Sequence, residues 1–248
     1  MMMEISAGSL RIGHAGNGDE LQASAGKEIP MIFEDMDRIV FAGDSVTDMG
    51  SDQPVGEGLF DSLGTGYVRM IENLLAAFYP EVNLRITNSG TAGDTSRDLL
   101  KRYQRDVVEL HPDWVAICIG INDVWAQFNC PAIPKFQVLP EEYEENVREM
   151  IRTVKEEVKG IFLLSPYYIE PNRQEKMRAR MDEYVDICRK LAEEYGCHFV
   201  NFQKMFEEYC GICHSSRIAW DRVHPNQIGA TLMARAFLDQ CEFDYNRR

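Results

Sequence analysis

Ser45 follows Gly43 and Asp44 at the end of an apolar run, in FAGDSVTDMG. At a tight strand-to-helix turn such a hydroxyl projects from the top of a sheet, where a neighbouring base can turn it into a nucleophile. A serine or aspartate in that setting is also an ordinary helix cap. A base is available far down the chain, where AWDRVHPNQIG sets Asp221 three residues before His224. On a loop this spacing lets the carboxylate accept from one imidazole nitrogen while the other faces a crevice, which fixes tautomer and orientation for a general base. The plainer reading is an aspartate capping a turn ahead of Pro225, beside an incidental surface histidine.

Two further segments carry groups that could stabilise developing negative charge. In NSGTAGDTSRDLL, Gly90 and Gly93 allow positive φ or close approach to a ligand, and Asp94 or Thr95 can begin a helix. The Gly93 amide could then donate to an oxyanion. In CIGINDVW, Asn122 lies just past Gly120 and offers a side-chain amide as a second donor, although Asn-Asp after a strand is common turn chemistry as well.

These segments gain weight from the elements that must position them. Apolar or β-branched runs at 38–42, 84–88, 114–119, 160–165 and 198–202 read as strands covered on both faces. Helical periodicity fills 66–78, 95–110, 141–158, 174–195 and 227–240. This alternation predicts one α/β domain built on a five-stranded parallel sheet over residues 31–248, after an N-terminal arm at 1–30 that is rich in glycine, alanine and polar residues. In such sheets functional loops gather beyond the carboxyl ends of the strands, and the Ser45, Gly93 and Asn122 segments all fall there.

The balance of 26 basic against 40 acidic residues, a net charge of -14, opposes association with phosphate backbones or anionic lipid and excludes nucleic acid as an expected partner. No leader-like or membrane-spanning run is apparent, and seven irregularly spaced cysteines fit free thiols, so the expected location is cytoplasmic with no membrane partner. Cys118 is expected to be a small apolar core residue. CGICH at 210–214 has the spacing of haem attachment and, with Cys197 and His198, suggests zinc or redox chemistry as well. Free thiols on a loop remain the favoured account, because the chain shows neither an export signal nor a second paired ligand motif.

GDSVTD, NSGTAGDT, GINDVW and DRVHPN match, in order, the blocks of the SGNH, or GDSL-like, hydrolase family, and the resemblance runs from about Asp37 to Phe243. It implies a flavodoxin-like three-layer α/β/α sandwich whose five parallel strands take the order 2-1-3-4-5. It also implies roles: Ser45 as nucleophile and first oxyanion amide, Gly93 as second amide, Asn122 as side-chain donor, His224 as base and Asp221 as its orienter. No metal and no organic cofactor are implied. LGTGYV at 63–68, Trp125, PYYIEPN at 166–172 and Trp220 resemble the bacterial acetylxylan esterases and related carbohydrate deacetylases of the family. Asp44, Trp125 and Trp220 are accordingly candidate substrate contacts. The expected substrate is a small-molecule ester, an acetylated saccharide first, with a homo-oligomer expected. A short-chain carboxylesterase, a lysophospholipase-like acylhydrolase and an inactive carbohydrate-binding protein are the alternatives. The arm and the stretch 210–216 match nothing in the family pattern.

Overall fold

The computed structural model describes residues 31–58 and 60–247; the expected arm at 1–30 lies outside the described residues. Strand β1 spans Arg38–Gly43, β3 Arg85–Gly90, β4 Trp114–Cys118, β5 Gly160–Leu164 and β6 His198–Val200. These five pair in parallel in the spatial order β3-β1-β4-β5-β6, the order expected from sequence. A sixth strand, β2 at Gly56–Glu57, adds antiparallel to β3 at the sheet edge. It corrects the expectation of five strands. Two residues are too short for any alternation to register, so sequence pattern could not reveal it.

The helices are α1 Ser45–Asp48, α2 Tyr67–Phe78, α3 Ser96–Asp106, α4 Ile121–Asn129, α5 Pro140–Val154, α6 Lys176–Tyr195, α7 Phe202–Cys210 and α8 Gln227–Leu238. Alternate residues of each central strand face opposite layers. Ile39 and Phe41 join Trp114, Ala116 and Phe162 in a core shared with α2, α7 and α8. Val40 and Ala42 join Val115, Ile117 and Leu163 in a second core beneath α3, α5 and α6. The result is the expected three-layer sandwich. Among the described residues, no helix is long and apolar enough to cross a membrane.

Helix α1, at the expected strand-to-helix turn, is 4 residues long, and α4 and α7, outside the expected helical runs, are 9 residues each. Each starts within three residues of a strand end, so the turn signals that announced a loop are also the helix caps. Conversely, the run expected to be helical over 95–110 leaves the α conformation at Asp106 and finishes in a 3₁₀ turn at Val108–Leu110.

Phe162 is fully buried, with its ring centroid 4.6 Å from that of Phe237 and 5.8 Å from that of Trp114. Truncating a buried phenylalanine typically costs about 3–5 kcal/mol in lost transfer energy and cavity. We expect Phe162→Ala to lower the urea midpoint by that free energy divided by an unchanged denaturant slope, and an unchanged midpoint would refute this packing.

Candidate active site

Strand β1 turns into α1 with almost no room between them. A Cβ on Gly43 would lie 2.3 Å from Thr47 Oγ1 and 2.5 Å from the Cys118 carbonyl oxygen, so only glycine lets α1 fold back this closely over β4. Asp44 takes extended dihedrals and caps α1, its Oδ1 accepting from the Val46 amide at 2.9 Å. Asp44 is 1% exposed and faces a small void lined with Val46, Cys118, Ile119 and Tyr167. This corrects the expectation that Asp44 touches substrate: its carboxylate points into the protein to hold the turn. Burial pushes that carboxyl up to about 7 against the Val46 hydrogen bond, with the charges of Asp123 and Asp94 adding to the rise. Ser45 is the first residue of α1, where a backbone N–H has no partner within the helix.

The structure brings the distant Asp221 and His224 to this turn. Ser45 Oγ lies 2.8 Å from His224 Nε2, and His224 Nδ1 lies 2.6 Å from Asp221 Oδ2. The other carboxylate oxygen, Oδ1, accepts from the backbone amides of Val223 at 3.0 Å and His224 at 2.9 Å. Burial raises the Asp221 pKa, but the His224 side chain and these two amides outweigh it, and the carboxyl sits below its ordinary value. With a carboxylate at Nδ1, the imidazole carries its proton there and offers the Nε2 lone pair to the serine hydroxyl.

The loop that carries this pair is fastened by the segment after β5. Tyr167 donates its hydroxyl to the Val223 carbonyl at 3.0 Å, the Ile169 amide donates to the Arg222 carbonyl at 2.9 Å, and Arg222 pairs with Glu170 at 2.5 Å. PYYIEPN thus anchors the aspartate-histidine loop. Its buried Tyr167 and Ile169 lie in the core on that side of the sheet.

Gly93 and Asn122 follow the ends of the two strands that flank β1. Gly93 has φ +87° and no heavy atom near an added Cβ, so its left-handed backbone, not crowding, favours glycine. Asn122 stands in the first turn of α4 and donates Nδ2 to the Asp94 carbonyl at 2.9 Å, which leaves its second amide hydrogen available. Next to it, the fully buried Asp123 accepts from the Ser96 amide at 2.9 Å and from the Ser96 hydroxyl, tying the start of α3 to α4. Burial pushes the Asp123 carboxyl up to about 7, opposed by these Ser96 bonds. Behind the serine, Asn88 donates to the Thr47 and Leu63 carbonyls at 2.7 and 2.9 Å and accepts from the Gly90 amide at 2.9 Å. Sequence reasoning missed Asn88, Asp123 and Tyr167, whose buried hydrogen bonds have no local signature.

Gly93, Asn122 and Trp125 border a cleft of about 590 Å³ that continues past Thr95, Arg97 and Lys101 to Lys135 and Phe136. The Trp125 ring lies 6.3 Å from the His224 ring. Trp220 precedes Asp221 but is 86% exposed and lies outside the lining of this cleft. At 210–214, His214 Nδ1 hydrogen-bonds Ser216, and burial pushes the Cys210 thiol up, away from the thiolate form that redox or zinc chemistry uses. Cys118 is 3% exposed and packs in the core.

The two buried carboxyls set a pH dependence of stability. Asp44 and Asp123 hold a proton to about 7 when folded, against an ordinary value of 3.8. Between these values the folded state binds more protons than the unfolded chain, so the stability they contribute is present at low pH and lost as pH rises through about 7. Burial lowers the His198 pKa, which acts in the opposite sense over the upper part of the window. We expect Asp123→Asn to flatten the fall in thermal midpoint from about pH 5 to about pH 8. An equal slope in the variant would show that Asp123 carries no such shift.

The fold is shared with known hydrolases. The chain is 44% identical over 211 residues to an acetylxylan esterase of Geobacillus stearothermophilus, covering 85% of this chain and 96% of that one. Solved structures of catalytic mutants of that enzyme, with a serine, an aspartate or a histidine replaced by alanine, superpose with TM-scores of 0.84 to 0.86 at 43% identity. They cover 86 to 87% of this chain and 97 to 99% of theirs. A hydrolase from the metagenome of Lake Arreo, Spain, is 47% identical with a TM-score of 0.82, over 84% of this chain and 96% of its own. Residues 41–232 match the model of the GDSL-like Lipase/Acylhydrolase family. With that match spanning most of its length, the chain belongs to the GDSL-like lipase/acylhydrolase family of carboxylic ester hydrolases.

Proposed function

We propose that residues 31–248 form a serine esterase domain that removes small acyl groups, acetyl first, from carbohydrate hydroxyls. The observation that carries this reading is the unbroken hydrogen-bonded line from Ser45 Oγ through His224 to Asp221. His224 Nε2 takes the hydroxyl proton as Ser45 Oγ attacks the ester carbonyl. The tetrahedral oxyanion accepts from the Ser45 and Gly93 amides and from Asn122 Nδ2. His224 then returns the proton to the leaving alcohol oxygen and an acyl-serine remains. Water, deprotonated by the same imidazole, attacks the acyl-serine, and the imidazolium returns that proton to Ser45 Oγ as the acid leaves. Asp221 keeps the imidazole in the Nδ1–H tautomer throughout. These steps call on no metal or organic cofactor.

The saccharide preference rests on the similarity to an acetylxylan esterase and on the cleft beyond the oxyanion donors, whose one wall carries Trp125 and whose others carry Thr95, Lys101 and Asn129. An aromatic face with hydrogen-bonding groups around it suits a sugar ring, and we place Trp125 in contact with it. A cytoplasmic setting is supported by the seven cysteines, all unpaired. Self-association is supported by the large apolar side chains of Phe60 and Trp220, 89% and 86% exposed. The net charge of -14 speaks against a nucleic-acid partner.

Acetate release from acetylated xylo-, cello- and manno-oligosaccharides is the direct test, with Ser45→Ala as control. We expect Ser45→Ala to be inactive and Asn122→Ala to lose about a hundredfold or more in kcat, the usual cost of one oxyanion donor. A Ser45→Ala variant that hydrolysed an aryl acetate as well as the parent would sink the mechanism. A rate that peaks at octanoyl rather than acetyl esters would move the substrate to a lipid-like acylhydrolase, and binding of acetylated saccharide without acetate release would indicate a non-catalytic protein.

A further inference from the structure

Arg102 is a cation in the middle of α3, and its side chain is 11% exposed. A guanidinium has five N–H donors in a fixed planar fork. Here five bonds use them. Nε donates to Asp94 Oδ2 at 2.6 Å, Nη1 to Ser89 Oγ at 3.0 Å and Asp106 Oδ2 at 3.4 Å, and Nη2 to the carbonyls of Gly43 and Ser89, both at 2.9 Å.

The acceptors define what this fork holds. Gly43 closes β1 two residues before Ser45, and Ser89 stands in β3 beside it. Asp94 directly follows Gly93, and its carbonyl is the acceptor for Asn122 Nδ2. One side chain therefore grips the strand end behind the Ser45 amide, the loop that presents the Gly93 amide, and, through the Asp94 backbone, the residue that orients Asn122. Asp106 is shared with Arg105, which pairs with it at 2.5 Å, so that contact anchors the fork without leading to the site.

We propose that Arg102 is a positioning residue for catalysis: its guanidinium fixes the spacing of the three oxyanion donors, so that they converge on one point when the ester carbonyl becomes tetrahedral. Arg102 touches no substrate. It acts through Gly43 and Asp94, and the idea rests on the oxyanion roles proposed above for Ser45, Gly93 and Asn122. Lysine retains the charge but replaces the planar fork with a rotating ammonium of three donors, which cannot reach both strand ends and the loop together.

The test is a double-mutant cycle on kcat, with active enzyme counted by titration of Ser45 with an organophosphonate so that folding losses are separated from catalytic ones. Arg102→Lys should lower kcat by about tenfold to a hundredfold, the scale of an ångström-sized misplacement, while KM changes by less than about threefold. Combined with Asn122→Ala, the loss should be clearly smaller than the product of the two single losses, because both act on the same transition-state charge. Asp94→Asn removes the charge from one contact without changing volume and gives the same cycle if Arg102→Lys fails to fold. Parental kcat in Arg102→Lys beside an impaired Asn122→Ala overturns this proposal alone, as do losses that simply multiply. Parental kcat in Asn122→Ala overturns the oxyanion reading and this proposal with it.

Discussion

The parallel register at Gly43 sets the height of the whole site. Gly43 pairs with Gly90 of β3 on one side and with Cys118 of β4 on the other, so three adjacent strands end at one level. The chains that leave them carry Ser45, Gly93 and Asn122. A slip of one residue between parallel strands would reverse which side chains face each layer and move a loop by a strand step of about 3.3 Å. An oxyanion site tolerates far less, with donors required at about 2.7–3.1 Å from one oxygen. The buried alternation of Ile39 and Phe41 against Val40 and Ala42 therefore does more than fill two cores. It locks the register on which the proposed oxyanion donors depend.

Around that level the protein tolerates local cost. Two fully buried carboxyls, Asp44 and Asp123, sit next in sequence to Ser45 and Asn122, and each serves to hold a turn. Neither has a cation as a hydrogen-bond partner among the described residues; Asp44 bonds to a backbone amide and Asp123 to the Ser96 amide and hydroxyl. Such groups lower stability at neutral pH, and functional sites are where proteins accept them. The base is fixed by different means, through backbone carbonyls of its loop gripped by Tyr167 and Ile169. Nucleophile and base thus have independent supports, and they meet in a single hydrogen bond between residues 179 positions apart.

The parts of this site that were legible in the sequence are those whose chemistry is local. Ser45, Gly93, Asn122 and the Asp221-His224 pair each stand in a short segment whose residue types limit what they can do, and the strand-helix alternation told where the segments would meet. The structure joins Ser45, His224 and Asp221, and Gly93 and Asn122 follow the two strands that flank β1. What could not be read were long-range bonds of polar residues that look ordinary in their own segments. Arg102 is spaced as any solvent-facing helix cation, and Asn88 and Tyr167 fit a strand and a loop equally well. Asp44 misled for a related reason. A carboxylate beside a nucleophile suggests substrate contact, and only the inward turn of its side chain toward Val46 reveals a cap. The β2 strand was invisible because two residues carry no period.

The distance along the chain between nucleophile and base also governs when reactivity arises. The serine turn is complete once β1, α1 and the flanking strands have formed, but its imidazole belongs to the loop just before α8, behind the segment that follows β5. During synthesis from the N-terminus the serine is therefore made long before any group that can take its proton. A chain interrupted just ahead of residue 221 holds every described strand, the last ending at Val200, yet its serine lacks the base, and the same holds for a proteolytic fragment that has lost this loop. Nucleophile and base are joined only when the chain is present through His224 and folded back on β1, which ties the acyl-accepting serine to the closing of the fold around it.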